Sequence, residues 1–248
     1  GIVLGRGGAF VGQSPHFLHL TDTDGDGAAD ARRIVRAGFG RQDTHELLNG
    51  FAWGPDGWLY MTHGVFTHSL VKDPENPDDP GVLINAAVAR YHPEQNRFEL
   101  FADGTSNPWG VDFDGAGNAF LSACVIDHLF HIAPGGTYVR QAGGPGNPFV
   151  YQLLPSIVDH RHHRAAYAGV QVYQGDAYPA EFRGDVFIGN IHGNCVNRDR
   201  LVPAGATFQA KAQPDFLLAN DGWFRPVSTQ GGPDGALWIA DWYDNNRV

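Results

Sequence analysis

The chain of 248 residues has two lysines, Lys72 and Lys211, one methionine and two cysteines. Its 17 basic residues stand against 27 acidic ones, for a formal net charge of −10, and they form no cluster that could replace the counterions of a phosphate backbone. Nucleic acid is therefore excluded as an expected partner. No run approaches the ~18 consecutive apolar residues of a membrane-spanning helix, so we expect no transmembrane segment in this chain. Cys124 and Cys195 are compatible with a disulfide or with two small buried side chains.

Glycine and proline are frequent instead, with 33 and 16 residues. The longest segment without either, Asn118–Ala133, lacks polar residues at helical spacing. Aromatic residues make up 12% of the chain. Dense turn residues together with many aromatic side chains predict an all-β fold.

One pattern recurs four times: a short hydrophobic strand, a tight turn that ends in glycine, and a second hydrophobic strand. The turn glycines are 60, 67 and 51 residues apart: Gly57, Gly117, Gly184 and Gly235. Glycine there supplies the positive φ that closes the hairpin. Intervals of this length suit one four-stranded propeller blade with long loops. We predict a single β-propeller domain over residues 1–248, a partial propeller of about four to five blades that is truncated at both ends.

The strand pattern inside each repeat makes this prediction specific. The first blade is expected to lack its beginning, with three strands at Ala9–Val11, Phe17–Thr21 and Arg33–Ala37. Tyr138–Gln141 is expected to complete the blade that contains Ala119–Ala123. The last blade is expected to have two strands.

The segment Asp22-Thr-Asp-Gly-Asp-Gly-Ala-Ala-Asp30 matches the first nine positions of a calcium-binding loop. The ligands it predicts are four carboxylates and one backbone carbonyl: Asp22, Asp24, Asp26, Asp30 and Ala28. Position 12 is Arg33, so the bidentate glutamate of an EF-hand is missing, and the loop lies between strands. We expect a structural calcium ion here, with a metal-free acidic hairpin as the alternative.

Several polar or aromatic residues directly precede predicted inner strands, where the loops line the mouth of a propeller channel. They are His45, Asn107, Trp109 and Arg225. Histidine at such a place can accept a proton from a substrate hydroxyl, and arginine can bind a carboxylate. The alternative is that His45 caps a turn and that Arg225 pairs with Asp221 or Asp241.

Motifs in these regions carry a family resemblance. Asn107-Pro-Trp-Gly110, Asp127-His-Leu-Phe-His131 and Arg225-Pro-Val227 resemble, in this order, the soluble quinoprotein glucose/sorbosone dehydrogenases. A closer resemblance, from about Gly7 to Asp244, is to a propeller domain named for membrane-bound dehydrogenases. It is carried by the Asp22 loop, Trp53-Gly-Pro-Asp-Gly-Trp-Leu-Tyr60, Gly189-Asn-Ile-His-Gly-Asn194 and Asp221-Gly-Trp-Phe-Arg-Pro-Val227.

The resemblance implies a six-bladed parent propeller that oxidises a sugar or another alcohol, with calcium and pyrroloquinoline quinone as cofactors and a cytochrome c domain or protein as electron acceptor. His45 falls at the position of the catalytic base, Asn107 on a cofactor contact and Arg225 on a residue that holds a cofactor carboxylate. Ser106 stands where the family has arginine, and the cofactor-binding lysine has no counterpart. The family also implies a periplasmic or extracytoplasmic location, with membrane association only through parts outside this chain.

Histidines suggest two other functions. The run Asp159-His160-Arg161-His162-His163, together with His128, His131 and His192, offers ligands for a metal-dependent hydrolase of the lactonase type. A non-catalytic carbohydrate-binding propeller is the other alternative. Its channel would be a polar funnel of His45, His63, His128, His131 and His192, with Trp109, Trp223 and Trp242 as stacking faces.

Overall fold

The computed structural model describes residues 1–162 and 166–245, which form β-strands joined by turns and loops. Helical structure in this part of the chain is limited to one 3-10 turn at Ala180–Phe182. The prediction of an all-β fold is confirmed. No helix of the described residues has the length and apolar character needed to cross a membrane.

The first sheet is a four-stranded antiparallel meander. Its strands are β1 (Ile2–Gly5), β2 (Gly8–Gln13), β3 (His16–Thr21) and β4 (Ala31–Ala37). The expectation that this blade lacks its beginning is wrong, because Ile2–Gly5 pairs with Gly8–Val11. Arg6 and Gly7 both have positive φ, 56° and 74°, which matches the right-handed twist of a two-residue hairpin.

The second sheet contains the first of the recurring hairpins. Its strands are β5 (Asn49–Trp53) and β6 (Leu59–His63), and the connection that follows holds a small hairpin of β7 (Ser69–Val71) and β8 (Val82–Ile84). The sheet continues with β9 (Ala87–His92) and β10 (Arg97–Thr105). Its meander runs β5-β6-β9-β10 from one edge outward.

The third sheet has three strands, β11 (Gly110–Phe113), β12 (Ala119–Ser122) and β13 (Leu129–Ile132). The expected fourth strand forms as β14 (Thr137–Arg140), but it pairs in parallel with β10 of the second sheet. Its assignment to the third blade is therefore wrong. The close contact of Gly104 with the backbone of Tyr138, where a Cβ would lie 2.4 Å from the carbonyl oxygen, permits this pairing.

The fourth and fifth sheets complete the described structure. The fourth contains β15 (Tyr167–Val172), β16 (Asp185–Asn190), β17 (Cys195–Ala204) and β18 (Thr207–Leu218). The fifth has the two strands expected from the sequence, β19 (Pro226–Gly231) and β20 (Leu237–Asp241).

The first strands of successive sheets lie side by side, so that β1 contacts β5, β5 contacts β11, β11 contacts β15 and β15 contacts β19. Apolar side chains pack between neighbouring sheets: Phe17 with Met61, Tyr60 with Phe113, Phe120 with Val186, and Phe187 with Leu237 share buried clusters. This is blade-on-blade packing around inner strands. We call the end at which β5, β11, β15 and β19 begin the upper face.

Candidate functional site

Two loops of the upper face meet at Gly64. A Cβ at this position would lie 2.6 Å from the Glu46 carbonyl oxygen and 2.8 Å from Asn107 Oδ1. A side chain therefore cannot be accommodated without displacing one of the two loops. The absence of a side chain at Gly64 brings the segment that precedes β5 next to the segment that precedes β11.

His45 lies in the first of these loops, and its side chain is 66% exposed. Its Nδ1 is 2.6 Å from Oδ1 of Asp43, whose side chain is 17% exposed, and the Asp43 carboxylate also accepts the His45 backbone N–H. Burial opposes ionisation of Asp43, but these hydrogen bonds hold its pKa below the ordinary value. An ionised Asp43 fixes the ring so that Nδ1 carries the hydrogen and Nε2 presents its lone pair.

Glu46, the next residue, was not recognised in the sequence. Its side chain is buried, and neither carboxyl oxygen has a hydrogen-bond partner among the described residues. Burial raises the pKa of Glu46 well above its ordinary value, although Thr62 acts in the opposite direction. Burial therefore favours the protonated form of this carboxyl group. Its position directly after His45 is the only sequence signal for it.

Arg225 precedes β19 and is 3% exposed. Its Nη1 donates to the carbonyl oxygens of Gly222 and Phe224, both at 2.8 Å, and its Nε is buried without a partner in the described part of the chain. The expected alternative, an ion pair of the Arg225 side chain with Asp221 or Asp241, does not form. Asp241 accepts only the backbone N–H of Arg225. A buried guanidinium whose donors face carbonyls has capacity left for an anion.

Other predicted residues of the upper face are less enclosed. Asn107 Oδ1 accepts the Val65 backbone N–H at 3.1 Å, and the Trp109 carbonyl accepts from Gly169. His192 lies in the turn between β16 and β17, and Trp223 is 47% exposed against Tyr243. Ser106 is buried and donates to Gln141.

Three predicted channel histidines are instead held by contacts within the protein. His63 is 1% exposed, and its two ring nitrogens contact the Gly64 carbonyl and Ser69 Oγ; burial lowers its pKa to about 4. His131 lies on β13, bonds Thr207 and packs against Phe208. His128 is fully buried. The prediction that these three side chains line a channel is wrong, because each is held inside or between blades.

His128 belongs to a cluster that spans the third and fourth sheets. Its Nε2 is 2.6 Å from Oδ2 of Asp199, while Nε2 of His160 and of His162 are 2.9 and 3.0 Å from Oδ1. Burial alone would raise the pKa of Asp199, but these contacts hold it far below its ordinary value. His163, the last histidine of the run, lies outside the described residues. Asp199 was not recognised in the sequence.

The acidic loop between β3 and β4 gathers only part of its predicted ligand set. The carboxylates of Asp22, Asp24 and Asp26 lie within reach of one common ion. Asp30 is instead occupied by Thr23, whose backbone N–H and hydroxyl both donate to it. The loop is closed by its own backbone, since Gly25 and Gly27 donate to Asp22.

Two further features contribute no chemistry to the upper-face site. Cys124 and Cys195 are free thiols, so they form no disulfide, and burial raises the pKa of each to about 11. A cavity of about 560 Å³ lies beside β10 and β14, where Arg140 pairs with Asp103. None of His45, Asn107 and Arg225 lines it.

The sequence profile of a domain of unknown function, DUF7133, matches residues 1–246. Comparison with curated protein sequences gives no match. Among solved structures, the chain is similar to the soluble aldose sugar dehydrogenase of Escherichia coli in its apo form. The identity is 16% and the TM-score 0.65, and the match covers 97% of this chain and 73% of the other.

The PQQ-bound aldose sugar dehydrogenase of Streptomyces coelicolor is similar at 18% identity, with a TM-score of 0.64 and coverage of 93% and 67%. A luciferin-regenerating enzyme is similar at 11% identity, with a TM-score of 0.51 and coverage of 97% and 69%. Structural similarity at such low sequence identity establishes the fold alone. It confirms the predicted β-propeller. Proteins with different activities share this architecture, so function has to be argued from the site.

Proposed function

We propose that this chain, which belongs to the domain family of unknown function DUF7133, is a dehydrogenase-like propeller that oxidises a sugar or another alcohol at its upper face. The observation that carries the proposal is the pair of His45 and Asp43. An exposed imidazole is bonded at 2.6 Å to a largely buried carboxylate. This arrangement suits a general base that meets its substrate from solvent.

In this proposal His45 Nε2 accepts the proton of the substrate hydroxyl. Asp43 holds the ring in the required tautomer and stabilises the imidazolium that forms. Burial of Glu46 disfavours its charged form, which limits the negative charge that would oppose a developing alkoxide. Asn107 uses its Oδ1 on Val65, which leaves its Nδ2 hydrogens for a carbonyl or hydroxyl of the bound molecule.

Residues of the upper face are suited to hold one end of a quinone cofactor. Arg225, with its unpartnered buried Nε, would hold a carboxylate of the cofactor, and Asn107 would contact its ring oxygen. When bound, such a quinone supplies the acceptor for the hydride of the carbinol carbon. Ser106 cannot act as a second cationic clamp, and Lys211 is already paired with Asp159 at 2.9 Å. The contact with pyrroloquinoline quinone is therefore expected to rest mainly on Arg225.

The natural partners in this proposal are a sugar or alcohol as substrate and a cytochrome c domain or protein as the electron acceptor, in a periplasmic or extracytoplasmic location. A non-catalytic carbohydrate-binding propeller is the second candidate. It is favoured by exposed aromatic side chains next to Arg225, since Trp223, Trp242 and Tyr243 are 47%, 69% and 55% exposed. A lactonase-type hydrolase is disfavoured, because the histidine cluster has four protein donors and no open position.

The test is reduction of a redox dye by the full-length protein with added pyrroloquinoline quinone and calcium, across a panel of sugars and simple alcohols. His45→Gln should lower kcat by about 10²–10⁴-fold, the usual contribution of a general base. His68→Gln, which removes an exposed histidine of the neighbouring connection, is the matched control and should leave kcat unchanged. Sugar binding by calorimetry without dye reduction would instead support the binding module.

A further inference from the structure

A buried cluster of imidazole and carboxylate groups shares no residue with the proposed dehydrogenase site. We infer that a zinc ion binds where four side chains converge: His128, His160, His162 and Asp199. Their nitrogen and oxygen donor atoms all lie within 4.8 Å of one another. The four side chains are 0%, 19%, 8% and 0% exposed. The inference does not depend on the proposed function.

The donor set is that of a four-coordinate zinc site. Zinc takes imidazole nitrogen and carboxylate oxygen at ~2.0–2.2 Å in tetrahedral geometry, which places neighbouring donors about 3.3 Å apart. The observed Nε2 to oxygen distances, 2.6, 2.9 and 3.0 Å, are about 0.3 to 0.7 Å shorter. A modest outward movement of the side chains therefore makes room for the ion. Three histidines and one aspartate fill all four positions, which characterises a structural rather than a catalytic site.

The cluster also offers a buried carboxylate oxygen as a ligand for a cation. Asp199 is completely buried, and its side-chain partners in the described structure are the three imidazoles. Three neutral imidazoles would leave a buried negative charge uncompensated, which is unfavourable in a low-dielectric interior. A bound Zn²⁺ would compensate this charge while all three imidazoles act as ligands through their Nε2 lone pairs.

Neighbouring groups hold the ligands in place. His160 and His162 are two residues apart in the connection, and the Nε2 atoms of both lie within 3.0 Å of Asp199 Oδ1. The Tyr167 hydroxyl donates to the His162 carbonyl at 2.8 Å, and its ring packs on His128. Nδ1 of His160 lies 3.7 Å from the Asp159 carboxylate, beyond hydrogen-bond distance, and has no hydrogen-bond partner among the described residues.

The ion would fasten the connection between β14 and β15 to two blades. His128 directly precedes β13 and Asp199 lies on β17, while His160 and His162 belong to the connection. The same connection is bonded to both blades nearby, through Ile157 with Leu129 and with Ala210. A metal at this point would therefore stabilise the packing of the third blade against the fourth.

The experiment is metal analysis of the full-length protein after gel filtration, followed by titration of the chelator-treated protein with Zn²⁺. We expect one tightly held zinc per chain. X-ray absorption of the zinc form should show four nitrogen or oxygen neighbours at ~2.0–2.1 Å with histidine scattering. Co²⁺ bound in place of zinc should give the intense visible absorption of a tetrahedral site. Six-coordinate spectra, or no retained zinc, would overturn the proposal in favour of a metal-free network.

Variants locate the site within the chain. His162→Gln should weaken zinc binding by more than ~100-fold, beyond the 10–100-fold loss that follows removal of an outer partner. His160→Gln, at the most exposed ligand, should do the same if His162→Gln does not fold. His131→Gln, which removes a nearby histidine outside the cluster, should bind zinc as tightly as the unchanged protein. Equal zinc binding by all three variants would overturn the assignment.

Discussion

The acidic loop and the histidine–aspartate cluster are the two groups of potential metal ligands in the described residues, and they are built in opposite ways. The loop takes its carboxylates from one run of nine residues, exposes them to water and satisfies them with its own backbone N–H groups. The cluster joins His128 to Asp199, 71 residues further along the chain, and buries both.

A motif that is easy to recognise in the sequence therefore need not contribute much to the stability of the fold. A contiguous acidic loop is visible in the sequence, but its carboxylates keep their hydration and cost little when no ion is present. A cluster gathered from distant segments leaves no spacing signature. Once it is buried, however, each of its polar groups depends on the others, because an unpaired partner loses both water and its hydrogen bond.

The largest expected effect follows from removing the central carboxylate of the cluster. Asp199→Ala should destabilise the protein by about 3–5 kcal/mol, because it leaves three imidazoles without their common partner. Asp22→Ala, in the exposed loop, should lower the unfolding midpoint much less than Asp199→Ala does. Urea unfolding in the presence of a chelator measures both without a contribution from bound metal. Equal unfolding midpoints for the two variants would show that the buried cluster contributes no more to stability than the exposed loop.

An intermediate effect concerns the pH dependence of two carboxylates that both accept backbone N–H groups. Burial raises the pKa of Asp112 to about 6, despite its hydrogen bond from Val172. The exposed Asp22 has its pKa lowered by the N–H groups of Gly27 and Gly25. Asp112 therefore contributes stability that is fully present below pH ~4 and is lost as the pH rises through 6.

Asp112→Asn should keep that stability at every pH. Relative to the unchanged protein, the free energy of unfolding of the variant should therefore increase by about 3 kcal/mol between pH 4 and pH 7, at ~1.4 kcal/mol per pKa unit. Asp22→Asn should differ from the unchanged protein in the opposite sense, losing stability above pH ~4 and matching it in acid. Unfolding curves across pH 3–8 measure both differences. A gain in stability for both variants at pH 7 would mean that burial does not determine whether a charged carboxylate stabilises or destabilises the folded protein.

Local signals predicted most of the fold. The Pro-Asp-Gly turns predicted the recurring hairpins, and Gly57 and Gly235 have the expected positive φ of 80° and 74°. The parallel pairing of β14 with β10 could not be predicted, because it depends on the close approach of Gly104 to the backbone of Tyr138, which is distant in the sequence. β1 was missed because a two-residue turn at Arg6 and Gly7 has no Asn-Gly or Asp-Gly signature.

The sequence predicted which residues precede the inner strands, but it did not predict the partners of their side chains. His45, Asn107 and Arg225 precede inner strands as expected, because loop position follows from strand order. Asp43 and Glu46 escaped notice because the roles of a carboxylate depend on burial and on what it meets in three dimensions. His63 illustrates the converse, since a histidine in a β-strand gives no local indication that Ser69 will enclose it.

The smallest expected effect is calcium binding by the acidic loop, which sharpens the contrast with the zinc cluster. Its exposed carboxylates and missing glutamate predict a dissociation constant in the range of ~10⁻⁴–10⁻³ M. Calorimetric titration with Ca²⁺ should show this weak site, and Asp24→Asn should abolish it. Asp78→Asn, in a separate exposed acidic loop, is the control and should leave the titration unchanged. Because Asp30 is engaged by Thr23, Thr23→Val should release that carboxylate and tighten calcium binding, whereas weaker binding would show that Thr23 shapes the loop for the ion.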